Sequence, residues 1–484
     1  MTELKLTLEN LKDCFPASFT EEQKAKAQTL FLKKLSLAMH TSYQGKMQTV
    51  PKAGIWGFNW FNVWYTPGVS SVSTTIRDNP DSSFQLSNRS NLVAVVSDST
   101  RVLGDGDCTP PGGLGVMEGK AMLMKHLGGV DAIALCINNR DENGKADPDR
   151  IIEFVKMLEP SVGAVNLEDI SQPNCYKVLD TLREECNIPV WHDDAQGTAC
   201  VTLAGLINAL KLADKKIEDV KTVLYGAGSS NTTIASFLLQ SGLKPENVII
   251  FDSKSGLHIK RKDLESNPNE FKKWELALKT NPLCIDRIED AMKGADVLIA
   301  LSTPGPDTVK KEWIKLMNSK AIVFVCANPV PEIYPFAAKE AGAFIVATGR
   351  GDFPNQVNNS LGFPGILKGA LMVRARKITD AMAIRAAHSL ADFAEKRGID
   401  KDNILPTMDE IEVFPQEAAD VAMQAIEDGV ARIQLTWDEA YNKAKQEIDE
   451  SRAVTALLMK EGLIKEPSRD MINNIFTEVI RELS

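Results

Sequence analysis

The sequence predicts an α/β protein made of two α/β domains, the second a Rossmann-type doubly wound parallel sheet, with helical segments at both ends. Three observations lead there. Short apolar runs alternate with helical patterns from residue 92 to residue 347, as expected of parallel strands joined by crossover helices. The apolar run Val223-Leu224-Tyr225 ends in Gly226-Ala227-Gly228 just ahead of a helical pattern, where glycines let backbone N–H groups close on a pyrophosphate. The 484 residues also exceed what one hydrophobic core usually supports, so two or three domains are expected.

Residues 1–45 read as a helical segment. Thr20 is an N-cap with Glu21 and Glu22 behind it, and Leu30, Phe31, Leu35 and Leu37 give an amphipathic helix over 20–40, suited to packing or to a dimer contact. Residues 46–195 form the first α/β domain. A segment rich in Trp, Gly and Pro (Trp56, Trp60, Trp64, Pro67, Gly68) precedes a strand at 92–96 and a glycine-crowded loop at 104–115. A helix at 116–126, a strand at 132–137, a helix at 148–158 and strands at 164–167 and 188–191 follow. Residues 196–368 form the Rossmann-type domain. It opens with a helix at 198–212, apolar on most sides like a buried connector. Strands at 222–225, 248–251, 297–301, 322–326 and 344–347 and a helix at 232–241 complete it. Residues 369–484 read as helices, notably 379–397 and 437–459.

Hydrophobic residues at 44% and charged residues at 25% are the balance of a globular chain. A formal net charge of -10 excludes a nucleic-acid partner, which calls for clustered Lys and Arg. No stretch approaches the roughly 20 apolar residues of a membrane span, and Met1-Thr2-Glu3-Leu4-Lys5 is not a signal sequence. A cytoplasmic protein acting on a small molecule is expected. The eight cysteines are dispersed without a Cys-x-x-Cys pair and read as reduced core thiols. The five histidines are equally scattered, so any metal should be hard and oxygen-bound.

The candidate dinucleotide turn comprises Gly226, Ala227, Gly228, Ser229, Ser230 and Asn231, with Asn231 in place of the third fingerprint glycine. Asp252 closes the next strand at a spacing that suits a ribose hydroxyl and favours NAD. Ser253, Lys254, Lys260, Arg261 and Lys262 pull towards NADP, because a basic cluster receives a 2′-phosphate; a solvated loop is the ordinary alternative. NADP is slightly preferred over NAD.

Two apolar strands end in paired carboxylates, Glu168-Asp169 and Asp193-Asp194. Glu168, Asp169 and Asp194 together offer the oxygen ligands that Mg²⁺ or Mn²⁺ prefers. Lys120 lies in an otherwise apolar helix, where desolvation would lower its pKa and make it a base; a snorkelling surface lysine is the alternative. Tyr65 reads as a phenolic acid or as part of an aromatic core.

Taken together, ordered motifs from Tyr65 to Ala375 resemble the malic enzymes, in their short form. They are Tyr65-Thr-Pro-Gly-Val, Ser97-Asp-Ser-Thr-Arg-Val-Leu-Gly-Asp-Gly-Asp107, Val116-Met-Glu-Gly-Lys120, Asn166-Leu-Glu-Asp-Ile170 and His192-Asp-Asp-Ala-Gln-Gly-Thr-Ala199. Gly226-Ala-Gly228, Ala327-Asn-Pro-Val-Pro-Glu332, Thr348-Gly-Arg-Gly-Asp-Phe-Pro-Asn-Gln-Val-Asn-Asn359 and Phe363-Pro-Gly365 complete the set. The resemblance implies oxidative decarboxylation of L-malate to pyruvate and carbon dioxide by a divalent-metal-dependent homodimer that reduces NADP or NAD. It implies metal ligation by Glu168, Asp169 and Asp194, with Asp193 behind them. Lys120 would be the base at the malate hydroxyl, Tyr65 the acid at C3, and Arg101 the clamp on a carboxylate. Asn328, Asn358 and Asn359 would be substrate contacts, Asn328 also touching the cofactor. Departures from the family pattern are Ser229-Ser230-Asn231 for Ala-Ala-Gly, Gly351 for serine and Asp105 for leucine. Two other readings are an amino-acid-dehydrogenase-like oxidoreductase, which needs no metal ligands, and a non-catalytic dinucleotide-binding regulator.

Overall fold

The computed structural model describes residues 6–484; residues 1–5, on which the signal-sequence reading rests, lie outside the described residues. The described chain falls into two compact units. In the smaller, formed by residues up to Pro51 with Arg452–Ser484, helices Glu21–Tyr43 and Arg469–Leu483 enclose Phe31 and Val479 at 0% exposure. Thr20 caps the first helix through a capping box with Gln23. Lys34 ties the pair from outside, bonding Glu478 at 2.7 Å and Glu482 at 2.6 Å.

The larger unit, Lys52–Ser451, holds two all-parallel sheets. Strands β1 (Leu92–Ser97), β2 (Asp131–Cys136), β3 (Ala164–Glu168) and β4 (Val190–His192) form the first, in the order β2-β1-β3-β4. The second consists of β5 (Thr222–Tyr225), β6 (Val248–Phe251), β7 (Val297–Ala300), β8 (Ala321–Val325) and β9 (Ala343–Thr348), in the order β6-β5-β7-β8-β9. In each sheet the strand order reverses beside the first strand, which opens a crevice at the carboxyl ends where open α/β sheets bind ligands.

The uninterrupted apolar runs of the second sheet are explained by two separate cores. Leu224, Ile299, Ile322 and Phe324 face one of them, Val223, Leu298, Val323 and Val325 the other. Strands covered on both faces carry no polar alternation. Helix Thr198–Ala213 buries most of its surface in the first of those cores, and its Asn208 amide donates to the carbonyls of Ala391 and Ile404, both at 2.9 Å.

Helices Asn174–Glu185, Phe363–Met372 and Val413–Glu427 go beyond the sequence reading. All ten residues of Phe363–Met372 are buried, so this helix has no polar face and no 3.6-residue periodicity to betray it. It packs closely on Val413–Glu427 at Gly369, where a Cβ would collide with the Ala418 carbonyl and lie 2.9 Å from Val421 Cβ. Gly369→Ala should therefore destabilise the protein by about 1–3 kcal/mol despite alanine's better helix propensity. Urea unfolding checks this; an unchanged midpoint would mean that the two helices can part without cost.

Candidate active and metal site

The site is assembled at the carboxyl ends of β3 and β4. Glu168 is the last residue of β3, and strand alternation alone would send Glu168 and Asp169 to opposite faces. Asp169 instead has φ +54°, a left-handed conformation that short polar side chains tolerate. The turn brings both carboxylates to one centre. After β4 the chain makes a single π-helical turn over Asp193–Gly197, a distortion frequent at functional sites. It carries Asp194 towards β3, where Asp194 Oδ2 accepts from the Asp169 backbone N–H at 2.7 Å. Oxygens of Glu168, Asp169 and Asp194 then lie within 4.8 Å of one another. This set fits a hard divalent cation: the donors are all carboxylate oxygens, and Asp169 Oδ2 is buried without a hydrogen-bond partner.

Lys120, on helix Leu114–Gly128, enters the same centre. Its Nζ donates to Asp193 Oδ2 and lies 2.9 Å from Glu168 Oε1 and 4.7 Å above the Phe363 ring. Each carboxylate is itself held: Asp193 Oδ1 accepts from Trp191 Nε1 at 3.1 Å, and Glu168 Oε1 from Asn166 Nδ2 at 2.8 Å. Gly197 is required below them, because a Cβ there would strike Asp193 Oδ1. Asn166, Trp191 and Phe363 were not singled out as site residues from the sequence. Asn166 carried a signal, since it stands two residues before Glu168 on the same face of β3, whereas Trp191 stands two residues before Asp193, which lies past the end of β4.

The lysine's protonation differs from the sequence expectation. Burial pushes its ammonium down, but the carboxylates of Asp193, Glu168 and Asp194 outweigh burial and hold the pKa above the ordinary lysine range. The carboxyls move up in turn. Burial, reinforced by the charge of Asp194, raises Asp169 to about 8, and burial raises Glu168 and Asp193 against the pull of Lys120.

The dinucleotide turn follows β5. Gly226 has φ +101°, and a Cβ there would run into the Leu301 carbonyl. Gly228 caps helix Ser229–Gln240 and has open space where a Cβ would stand, so the helix N-terminus is accessible to a phosphate. Asn231 braces the turn, its amide donating to the carbonyls of Tyr225 at 3.1 Å and Gly226 at 2.9 Å. Ser230 Oγ donates to the Asp194 carbonyl at 2.9 Å, which couples this helix to the carboxylate centre. Asp252 follows β6, and Arg261 grips it through Nη1 at 3.1 Å and Nη2 at 2.8 Å. Arg261 also holds Asp263, at 2.8 and 2.9 Å, so its guanidinium is committed to two carboxylates. Ser253 and Lys254 are exposed beside them.

Other residues named from the sequence stand further out. Arg101 is fixed by its backbone N–H on the Asp169 carbonyl at 3.0 Å, with its side chain exposed. Asn328 is exposed, its amide against Gly349. Asn358 spends its Oδ1 on the Ser360 N–H at 3.0 Å, and Asn359 Cβ packs beside Gly197. Tyr65 is 71% exposed, and no hydrogen bond or ion pair among the described residues joins it to Lys120. Its chain neighbours Trp56, Phe58, Phe61 and Trp64 are exposed as well, with the rings of Trp56, Trp60 and Trp64 in contact in sequence and Phe58 against Phe61.

Two parallel sheets, one with a glycine turn against a helix N-terminus and the other with a lysine among four carboxylates, define an α/β protein of the dinucleotide-binding class with a cluster of carboxylate oxygens that fits a hard cation. Residues 46–183 match the family description "Malic enzyme, N-terminal domain" and residues 195–427 match "Malic enzyme, NAD binding domain". The chain belongs to the malic enzyme family. It is 40% identical to the bifunctional malic/malolactic enzyme of Bacillus subtilis, over 86% of this chain and 98% of that protein. It is 42% identical to the NAD-dependent malic enzyme of Geobacillus stearothermophilus, over 80% and 78%. The crystal structure of Entamoeba histolytica malic enzyme superposes with a TM-score of 0.98 at 59% identity, covering 99% of this chain and 100% of that one.

The raised pKa of Asp169 has a signed consequence for stability. The group keeps its proton to about 8 when folded but loses it near 3.9 when unfolded, so its contribution declines as pH rises through that window. With divalent ions chelated, Asp169→Asn should gain melting temperature relative to the unsubstituted protein as pH goes from about 5 to about 8. Parallel melting curves across that range would refute the assignment.

Proposed function

We propose that this protein oxidises and decarboxylates L-malate to pyruvate and carbon dioxide while reducing NADP, with Mg²⁺ or Mn²⁺ held by Glu168, Asp169 and Asp194. The observation that carries the reading is the placement of Lys120 Nζ, 2.9 Å from Glu168 and bonded to Asp193, at the edge of a three-carboxylate donor set. An amino-acid dehydrogenase needs no such set. Held by Glu168, Asp169 and Asp194, a divalent ion would supply Lewis acidity at the substrate oxygen and would offset carboxylate charge that keeps the lysine protonated.

The residues of the chain then divide the work. Lys120 Nζ takes the proton of the C2 hydroxyl, and Asp193, which receives no place in the donor set, remains as the acceptor that steadies the resulting ammonium. Arg101 clamps a substrate carboxylate in its bidentate fork. Asn328, Asn358 and Asn359 orient the substrate, and Asn328 also contacts the cofactor. Tyr65 Oη delivers a proton to C3 after carbon dioxide leaves. That role calls for burial of the aromatic face around Tyr65, which supports a homodimer joined there, since contiguous exposed apolar patches mark interaction sites.

The preference for NADP over NAD rests on charge. Arg261 neutralises Asp252, which would otherwise repel a 2′-phosphate, and the exposed Ser253 and Lys254 stand beside it to meet that phosphate. Lys254 is paired with Asp263 at 2.9 Å, but such an exposed pair is weak and readily exchanged. Relatives named NAD-dependent and NADP-dependent both occur. A cytoplasmic location is supported by eight free cysteine thiols, as a reducing compartment would keep them. No helix among the described residues is long and apolar enough to cross a membrane.

Initial rates with L-malate and each cofactor, with and without a divalent ion, test the reaction through free reduced cofactor and pyruvate. Turnover that survives chelation would sink it. Lys120→Ala should lower kcat by about 10²- to 10⁴-fold with dinucleotide binding retained. Lys254→Glu should cost about tenfold in kcat/KM for NADP, the equivalent of roughly 1.4 kcal/mol, and leave NAD nearly untouched.

A further inference from the structure

Glu332 takes no part in the chemistry above, yet it is 0% exposed and makes no ion pair among the described residues. Its Oε1 accepts from the Ser302 N–H at 2.8 Å and from Ser302 Oγ at 3.2 Å; its Oε2 accepts from the Ala327 N–H at 3.0 Å. Ser302 lies just beyond β7 and Ala327 just beyond β8, two neighbouring strands of the second sheet. One side chain therefore fastens the two loops at the carboxyl ends of adjacent strands.

Both loops press on residues of the site. The Leu301 carbonyl and Ser302 Cα abut Gly226 of the dinucleotide turn, Ser302 Cα lying 3.3 Å from where a Cβ would stand. Asn328, directly after Ala327, has its carbonyl against Gly104 in the loop that carries Arg101. Arg350 holds the next carbonyl, that of Pro329, at 2.7 Å.

The choice of a carboxylate is informative. Two backbone N–H groups on different loops each need an acceptor, and a carboxylate offers two oxygens without a donor. Glutamine would turn an NH₂ towards one of them, leaving a buried N–H unpaired. Burial pushes the Glu332 carboxyl up, and the bonds from Ser302 and Ala327 oppose that push. An isolated buried carboxylate is costly to keep, and here it is spent on loop geometry.

We infer that Glu332 is a positioning residue: its two oxygens clasp the loops after β7 and β8 together and so fix Asn328 against the dinucleotide crevice. This rests on the reading of the protein as a dinucleotide-dependent malate dehydrogenase.

The test uses the full chain carrying Glu332→Gln, compared with wild type by circular dichroism, dinucleotide Kd, kcat, KM for malate and the isotope effect with C2-deuterated malate. A misalignment of loop groups predicts a roughly 10- to 100-fold loss of kcat, a raised isotope effect and weaker dinucleotide binding in a folded protein. A folded variant with kcat and Kd within about twofold of wild type overturns the inference, as does a kcat loss with an unchanged isotope effect. If Glu332→Gln fails to fold, Ser302→Ala, which removes one bond of the clasp, should show the same changes in smaller measure; wild-type behaviour there overturns it. If wild type binds dinucleotide but does not oxidise malate, the functional reading fails on its own. The Kd comparison then decides the clasp.

Discussion

The buried contact between Lys120 and the carboxylates of Glu168 and Asp193 is the constraint on which the rest of the site depends. Within a few ångströms the fold collects one ammonium and four carboxyls, most of them out of solvent. Such a collection is poor as a source of stability, because desolvation consumes much of the Coulomb energy that the pairs return. The structure answers the surplus negative charge by raising the carboxyl pKa values and holding the lysine proton. The same surplus makes the centre receptive to a doubly charged cation. Stability has been traded for a cluster of oxygens on which a proton and a cation would compete.

The surrounding architecture exists to hold that competition still. The first sheet delivers Glu168, Asp169 and the π-helical turn; the second delivers the glycine turn and its helix. Ser230 joins the two through the Asp194 carbonyl, so the helix that would face a pyrophosphate also braces the carbonyl of the segment that would face a metal. The glycine-turn helix and the carboxylate segment are thereby linked directly by a single hydroxyl.

Much of this was legible in the sequence, and the limits have physical reasons. Apolar runs located the nine strands among the described residues, most of them covered on both faces and so without polar alternation, although β2 is only partly covered. The carboxylates at the ends of β3 and β4 were visible as candidates, and the structure brings Glu168, Asp169 and Asp194 together. The means of bringing them together was not visible, since nothing in Glu168-Asp169 announces a left-handed residue and nothing in Asp193–Gly197 announces a π turn. The lysine's pKa was read in the wrong direction, since an apolar helix suggests desolvation alone, while its carboxylate partners come from segments roughly fifty to seventy residues away in the chain. Helix Phe363–Met372 escaped for a third reason, as a helix buried on every side has lost the pattern by which helices are recognised.

That last helix bears on how the molecule breathes. Backbone amides exchange with solvent through local openings, and the segments that open last are those most enclosed by apolar neighbours. Phe363, at the start of the helix, lies directly beneath the Lys120 ammonium. The ring beneath that ammonium thus belongs to a segment enclosed on every side, expected among the last to open when peripheral loops fluctuate.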